Sequence, residues 1–332
     1  MMVFHGLVNY GTQAGYFSKA LREAGVESVS AAYADAYNRL IDIDISNKYK
    51  SKVFLWRRLK RLLFLISIFR KYNVFHFYFG KTLLPYNIDA PFYRLFGKKT
   101  VMEYLGTDVD LWLGLNGVDW RGRPVDRIKL VKRVKKQARQ FDKQLVCAPV
   151  YYEFVDNSII VPLAIDLSSY SYHPIHYYRE KVLTFMHCPS DRKAKKSDYI
   201  EAALEKLSKE GYKFNYKCIT GVNHSQLIEE YVTSDIVIDQ LNHWYGTVSV
   251  EAMALGRPVV AGYRPHLCHY DCRFEGLPII NADIYNIYNV LKDILDGKYD
   301  LAEIGKQSRE FAMRTHDVKS VTKQLIDIYM SI

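Results

Sequence analysis

Long apolar runs, paired cysteines and low-complexity stretches are all scarce in this chain of 332 residues. Its longest apolar run without a charge, Leu62 to Phe69, is far shorter than the ~20 residues a membrane-spanning helix needs. Five cysteines, an odd number spread from Cys147 to Cys272, read as reduced thiols rather than a disulfide framework. The opening segment MMVFHGLVNYG carries no basic region ahead of an apolar core, unlike a secretory leader. Together these absences predict a cytoplasmic protein. No internal repeat or low-complexity linker interrupts the chain, and without a nucleic-acid-binding module, nucleic acid is not an expected partner.

What is present suits globular domains. Apolar residues make up 49% and aromatics 14%, enough for buried cores, and the length fits two domains. The formal charge of +10 is unevenly spread: residues 1–165 hold 26 Lys and Arg against 14 Asp and Glu, and the remainder holds 20 against 22. Two clusters carry much of the excess, Lys48 to Arg61 (with Lys50, Lys52, Arg57, Arg58 and Lys60) and Arg121 to Lys143. The first is mixed with Phe54, Leu55, Trp56, Leu59, Leu62 and Leu63. Such a helix either lies on an anionic membrane surface or packs its apolar face on a sheet with its solvated face basic.

Strand and helix patterns alternate along both halves. The first half predicts a strand near Met2–Leu7, a glycine-containing loop from Asn9 to Gly15, and a helix to about Ala24. An aromatic strand at Val74–Phe79, a strand at Thr100–Leu105, a basic helix over Val125–Phe141 and a strand at Leu145–Val146 follow. The second half predicts strand Val182–His187, helix Tyr199–Lys209, strand Tyr216–Thr220, helix Ser225–Thr233 and strand Asp235–Ile238, with a last helix over Asp317–Ile332. Alternation of this kind implies parallel sheets with ligands at the carboxyl ends of the strands. Two such units in series imply a cleft.

The most specific stretch runs from Asp235 to Tyr263. After the Ile236–Ile238 strand, the Gly246-Thr247 turn opens a short helix through Glu251, Met253 and Leu255; Gly256 and Pro258 end it, and Val259–Ala261 reads as the next strand. A glycine turn feeding a helix start offers N–H groups and the positive end of the helix dipole to a phosphate. Glu251, four residues after Thr247, lies on the same helix face. A carboxylate beside a phosphate is tolerated where it accepts hydrogen bonds, and ribose hydroxyls supply them. A bound nucleotide with its ribose on Glu251 is the expectation.

These residues resemble the donor-binding signature of retaining nucleotide-sugar glycosyltransferases of the GT-B fold, family 4. Gly246, Glu251, Ala252, Met253, Ala254, Gly256, Pro258, Val259 and Val260 match its pattern. The first Glu of that pattern is replaced by His243, eight residues before Glu251. The resemblance implies an α/β protein of two Rossmann-like parallel-sheet domains facing a cleft. These would be an acceptor-binding domain over 1–165 and a nucleotide-sugar-binding domain over 166–314, with the helix of 315–332 packing back on the first. Ile159 to Asp166 resembles the connection between lobes in such enzymes.

Several roles follow from the resemblance. Glu251 binds the donor ribose, and Gly246 and Thr247 present N–H groups to the diphosphate. Arg192 and Lys196, in the loop after the strand ending at His187, neutralise it, with Lys193 and Lys195 as alternatives. A departing diphosphate gains charge, so fixed cations lower the barrier whatever the family. His243 sits near the transferred sugar. In the first domain Gly11 borders the donor phosphates and Gln13 the acceptor. Asp108, after Leu105-Gly106-Thr107, orients or deprotonates the acceptor hydroxyl or else caps a turn.

The implied activity is transfer of a sugar from a UDP- or GDP-sugar to an acceptor hydroxyl, with retention, in synthesis of a cell-surface polysaccharide or glycolipid. The expected partners are the nucleotide-sugar and a glycan or lipid-linked acceptor, with an anionic membrane surface as a further candidate. A nucleotide-binding protein without transfer, or an inverting GT-B transferase, are the alternatives. No cofactor is expected. The triplets Asp42-Ile43-Asp44 and Asp108-Val109-Asp110 suit a divalent ion, but the basic loop makes one redundant. His266, Cys268, His269 and Cys272 share a loop without the second clear pair a zinc site needs.

Overall fold

The computed structural model describes residues 1–33, 39–48, 50, 54–106, 108–109, 118–119, 121–175, 182–241 and 244–332. Its elements run in chain order as β1 (Met2–Leu7), α1 (Gln13–Glu23), β2 (Glu27–Ala32), β3 (Ile43–Asp44), α2 (Ile45–Lys48), α3 (Phe54–Lys71), β4 (Val74–Tyr78), α4 (Ala90–Leu95), β5 (Lys99–Tyr104), α5 (Arg127–Ala138), β6 (Lys143–Val146) and β7 (Ile159–Ile160). They continue as β8 (Leu183–His187), α6 (Arg192–Lys195), α7 (Ser197–Lys209), β9 (Phe214–Cys218), α8 (His224–Val232), β10 (Ile236–Ile238), α9 (Thr247–Ala254), β11 (Val259–Ala261), β12 (Ile279–Asn281), α10 (Ile287–Leu295), α11 (Leu301–His316) and α12 (Val318–Met330). The chain divides into two compact units. The first holds Met1–Leu111, Asp126–Ala164 and Val318–Ile332; the second holds Trp112–Val125 and Ile165–Asp317.

In the first unit the strands pair in parallel in the order β3-β2-β1-β4-β5-β6-β7. Helices cover such a sheet on both faces, so its central strands are apolar throughout rather than alternating. Val3, Phe4, Val74, Phe75, Phe77, Val101 and Met102 are all buried. The aromatic content predicted for β4 does much of the packing: Phe75 meets Tyr93 of α4 at a ring separation of 4.8 Å and Phe77 meets it at 5.4 Å. Each phenylalanine buried this way contributes roughly 1.5–3 kcal/mol. The terminal helix α12 packs on α1 within this unit.

One polar layer interrupts that core. His5 and His76 are register partners on β1 and β4, with ring centres 5.1 Å apart. His5 Nδ1 lies 2.6 Å from the Tyr78 hydroxyl, and His76 Nδ1 lies 2.6 Å from the hydroxyl of Tyr329 on α12. His76 Nε2 is 3.1 Å from Glu103 Oε2, close enough for an ion pair but misaligned for a hydrogen bond. Burial settles the protonation: it depresses His76 to about 3 and raises Glu103 to about 8, so both are neutral near pH 7. His5 is likewise pushed down, by burial first and then by His76.

The second unit has a parallel sheet in the order β12-β11-β10-β8-β9. Phe185, Ile236 and Ile238 pack with Ile200, Leu204 and Leu207 of α7 and with Leu291 and Ile294 of α10. Gly256 ends α9 at φ +80°, where a Cβ would lie 2.4 Å from the Tyr172 ring, so glycine is required there twice over. The doubly wound fold class expected from the alternation is what both units show.

Candidate functional site at the switch point of the second unit

After β8 the chain moves to β9 on one side, then crosses to β10 on the other. The loops leaving β8 and β10 therefore diverge at their carboxyl ends, where ligands bind in doubly wound sheets. The loop after β8 leads into α6, and the loop after β10 leads into α9.

Asp239 follows β10 directly and is 1% exposed. Its carboxylate accepts from Lys195 Nζ at 2.7 Å, from Ser249 Oγ at 2.7 Å and from the Gly246 N–H at 3.0 Å. Lys195 Nζ also donates to Gln240 Oε1 at 2.6 Å, and Gln240 donates to the Trp244 carbonyl. Burial alone would raise the Asp239 carboxyl; the Lys195 ammonium and the three donors outweigh it and hold the group below the usual carboxylate range. This network ties the β8 loop, β10 and the start of α9 together. Asp239 occupies one N–H at that start, while the Thr247 and Val248 N–H groups, in the first turn, meet no acceptor among the described residues.

Glu251 lies one turn further along α9, with 7% exposure. Oε1 accepts from the Tyr170 hydroxyl at 3.1 Å and lies 2.9 Å from His224 Nε2; Oε2 accepts from the Tyr231 hydroxyl at 3.2 Å. A carboxylate offers about four acceptor positions, so three are taken and one is left. The hydrogen bond to Glu251 raises the pKa of His224. Beneath the β8 loop, His187 places Nδ1 2.8 Å from the Ile238 carbonyl and Nε2 2.8 Å from Ser197 Oγ, and burial pushes its pKa down. Burial also drives the Cys188 thiol up to about 12, so it is no nucleophile at neutral pH.

The structure brings Gly246, Thr247 and Glu251 together with Lys195. Arg192 points to α7, donating to Glu201 Oε2 at 2.5 Å and lying 3.8 Å from Asp198. Lys196 bridges α6 and α7 with a left-handed backbone at φ +62°. His243 lies outside the described residues. In the first unit, Gly11 takes φ +51° in the turn after β1. Gln13 is fully buried: its amide donates to the carbonyls of Ala164 and Gly11, each at 2.9 Å, and accepts from Ala164 N at 2.7 Å. Asp108 Oδ1 accepts from Gly106 N at 2.8 Å and from Leu105 N at 3.2 Å, which closes a turn. Asp42, of the first acidic triplet, is committed to Arg22, Ser18 and Ser30. Among the described residues no three His, Cys, Asp or Glu side chains are grouped to hold a metal.

Asp239, Tyr170, His224, Tyr231 and His187 were not singled out in the sequence. Asp239 carried a usable signal, since it is the first residue past an apolar strand. The partners of Glu251 lie 81, 27 and 20 residues from it and carry no local signature.

No family profile matches the chain, and no curated protein matches it in sequence. Solved structures do match in fold. The Anabaena protein Alr3699/HepE, in complex with UDP and glucose, is 12% identical over 100% of this chain and 99% of its own, at a TM-score of 0.65. A glycosyltransferase from Rickettsia africae is 13% identical over 99% and 98%, also at 0.65. The S. aureus MnaA–UDP co-structure is 13% identical over 98% and 95%, at 0.51. The chain thus has the fold class of GT-B proteins, with two Rossmann-like parallel-sheet units.

Proposed function

We propose that the protein transfers a sugar from a nucleotide-sugar to an acceptor hydroxyl. The observation that carries this reading is the corner at the switch point: an α9 N-terminus with free N–H groups, a buried Lys195–Asp239 pair behind it, and Glu251 held by three protein groups with one acceptor position left. A diphosphate fits the first feature and a ribose hydroxyl the last. That proteins of the same fold are solved with UDP bound supports the choice of ligand.

Energetics divide the cations. Freeing Lys195 would strand a buried Asp239, at a cost on the order of 3–5 kcal/mol, so Lys195 holds the scaffold. The Arg192–Glu201 pair is largely exposed and screened by solvent, so Arg192 can turn to a ligand at little cost. Arg192 and Lys196 then stabilise the leaving diphosphate. The bond from the anomeric carbon to the phosphate oxygen breaks, the acceptor oxygen bonds to that carbon, and its proton passes to the departing phosphate. Retention, a role for His243 near the sugar, Gly11 at the phosphates and Asp108 at the acceptor belong to the same reading. Gln13, spent on Ala164, acts by shaping the loop rather than by touching the acceptor. The acceptor proposed is a lipid-linked or anionic glycan precursor of a surface polysaccharide or glycolipid.

A panel of UDP- and GDP-sugars tests this: one of them stabilises the chain thermally and is turned over with acceptor. Stabilisation without any turnover or hydrolysis favours a binding protein, and no stabilisation by any nucleotide removes the reading.

A further inference from the structure

The helix α3 is apolar on two sides. Its buried side carries Phe64 and Ile68 together with a partly buried Arg57 and Arg61. Arg61 lies over the Tyr33 ring at 5.4 Å, and its Nε is buried without a partner among the described residues. Its solvent side carries Leu55, Trp56, Leu59, Leu62, Leu63 and Ile66, from 43% to 75% exposed. Their spacing places all six within one arc of about 120° on the helix. Arg58 and Lys60 flank that arc, and Arg70 closes it. The arc continues onto α4: Phe69 meets Phe96 at a ring separation of 5.6 Å, and Phe92, Leu95 and Phe96 are more than half exposed.

We propose that this face docks on an anionic lipid bilayer, with α3 lying in the headgroup plane and its leucines and Trp56 in the acyl boundary. A helix that only packed on the sheet would not also turn six apolar side chains to solvent while Arg57 and Arg61 are partly buried. No Asp or Glu occurs in residues 54–71 or 90–98. That composition selects the occupant. A second copy presenting the same face would bring two cationic rims together, whereas anionic headgroups complement them and the acyl boundary takes the apolar arc. Trp56 suits the interface, where its ring is buried and its N–H is wet. Among the described residues no helix is long and apolar enough to cross a membrane, and the attachment proposed is to the surface. The proposal stands apart from the donor site, which uses none of these residues.

The test is co-sedimentation of the full chain with vesicles of equal parts phosphatidylcholine and phosphatidylglycerol, and with phosphatidylcholine alone. Binding is expected to the anionic vesicles, falling ~10-fold or more at about 0.5 M salt. The variant Leu59→Gln/Leu62→Gln/Ile66→Gln, changed only at exposed positions, should keep the wild-type circular dichroism and nucleotide-sugar affinity yet lose vesicle binding at least ~10-fold. Arg58→Glu/Lys60→Glu should lose binding to the anionic vesicles selectively. No pelleting with anionic vesicles overturns the proposal, as does pelleting indifferent to the triple variant. So does self-association in sedimentation velocity that the triple variant abolishes while no lipid is bound.

Discussion

Glu251 combines a structural contact with a proposed ligand contact, and substitution separates the two. It receives the buried Tyr231 hydroxyl, and it keeps one acceptor position for a ligand. Glu251→Ala should therefore weaken nucleotide-sugar binding ~10-fold or more, the worth of a hydrogen bond to a charged group. It should also lower stability by roughly 1–3 kcal/mol, because Tyr231 is left buried without its acceptor. Calorimetric titration against urea melting checks both; donor affinity unchanged by Glu251→Ala would refute the ribose role. Glu103 supplies a prediction of a different kind. Its carboxyl is raised from 4.5 to about 8 in the folded chain, so above pH 4.5 the unfolded state has lost a proton that the folded state keeps. Stability from this group therefore declines as pH rises towards about 8. His76, lowered from 6.5 to about 3, acts oppositely between those values, so the two oppose each other between pH 4.5 and 6.5 and the Glu103 slope shows above 6.5. Glu103→Gln should flatten the decline between pH 6.5 and 8 in urea melts. His224, raised above 6.5, adds its own decline in this range, so a slope no shallower in Glu103→Gln than in the wild type would show that Glu103 ionises normally.

At the scale of elements, the Lys195–Asp239 pair joins α6 to β10 and to the start of α9. Lys195→Met should cost about 3–5 kcal/mol by stranding a buried carboxylate. Arg192→Ala breaks only a largely exposed pair and should leave the urea midpoint close to that of the wild type while depressing turnover. Equal destabilisation by the two would contradict the division of labour drawn between them. The elements were unevenly legible in sequence. Strands of β-branched and aromatic residues such as β1, β4 and β10 announced themselves, as did helices α1, α5, α7 and α8. β2 did not: Glu27–Ala32 alternates serine with small apolar residues, and its place is set by pairing with β1 rather than by hydrophobicity. Nor did β12: its three residues, Ile279–Asn281, are too few to show a strand period. The α9 motif marked the candidate site, but not what holds it: Asp239 and the partners of Glu251 meet only through the fold.

At the scale of the molecule, two doubly wound sheets put loops at strand carboxyl ends, and the cationic excess falls in residues 1–165. Part of that excess lies on α3, the face proposed for the membrane, while the second half, near neutral, holds the corner proposed for the nucleotide. Fold class was readable because alternating strand and helix admit few topologies. The donor's base and sugar were not, because contacts to them arise from separate loops. The direct measurement is a crystal structure of the chain soaked with UDP or GDP. The account predicts the diphosphate on the Thr247 and Val248 N–H groups, with Arg192 turned from Glu201 towards it and a ribose hydroxyl on Glu251. A nucleotide bound elsewhere, or seated there with Glu251 untouched, would contradict it.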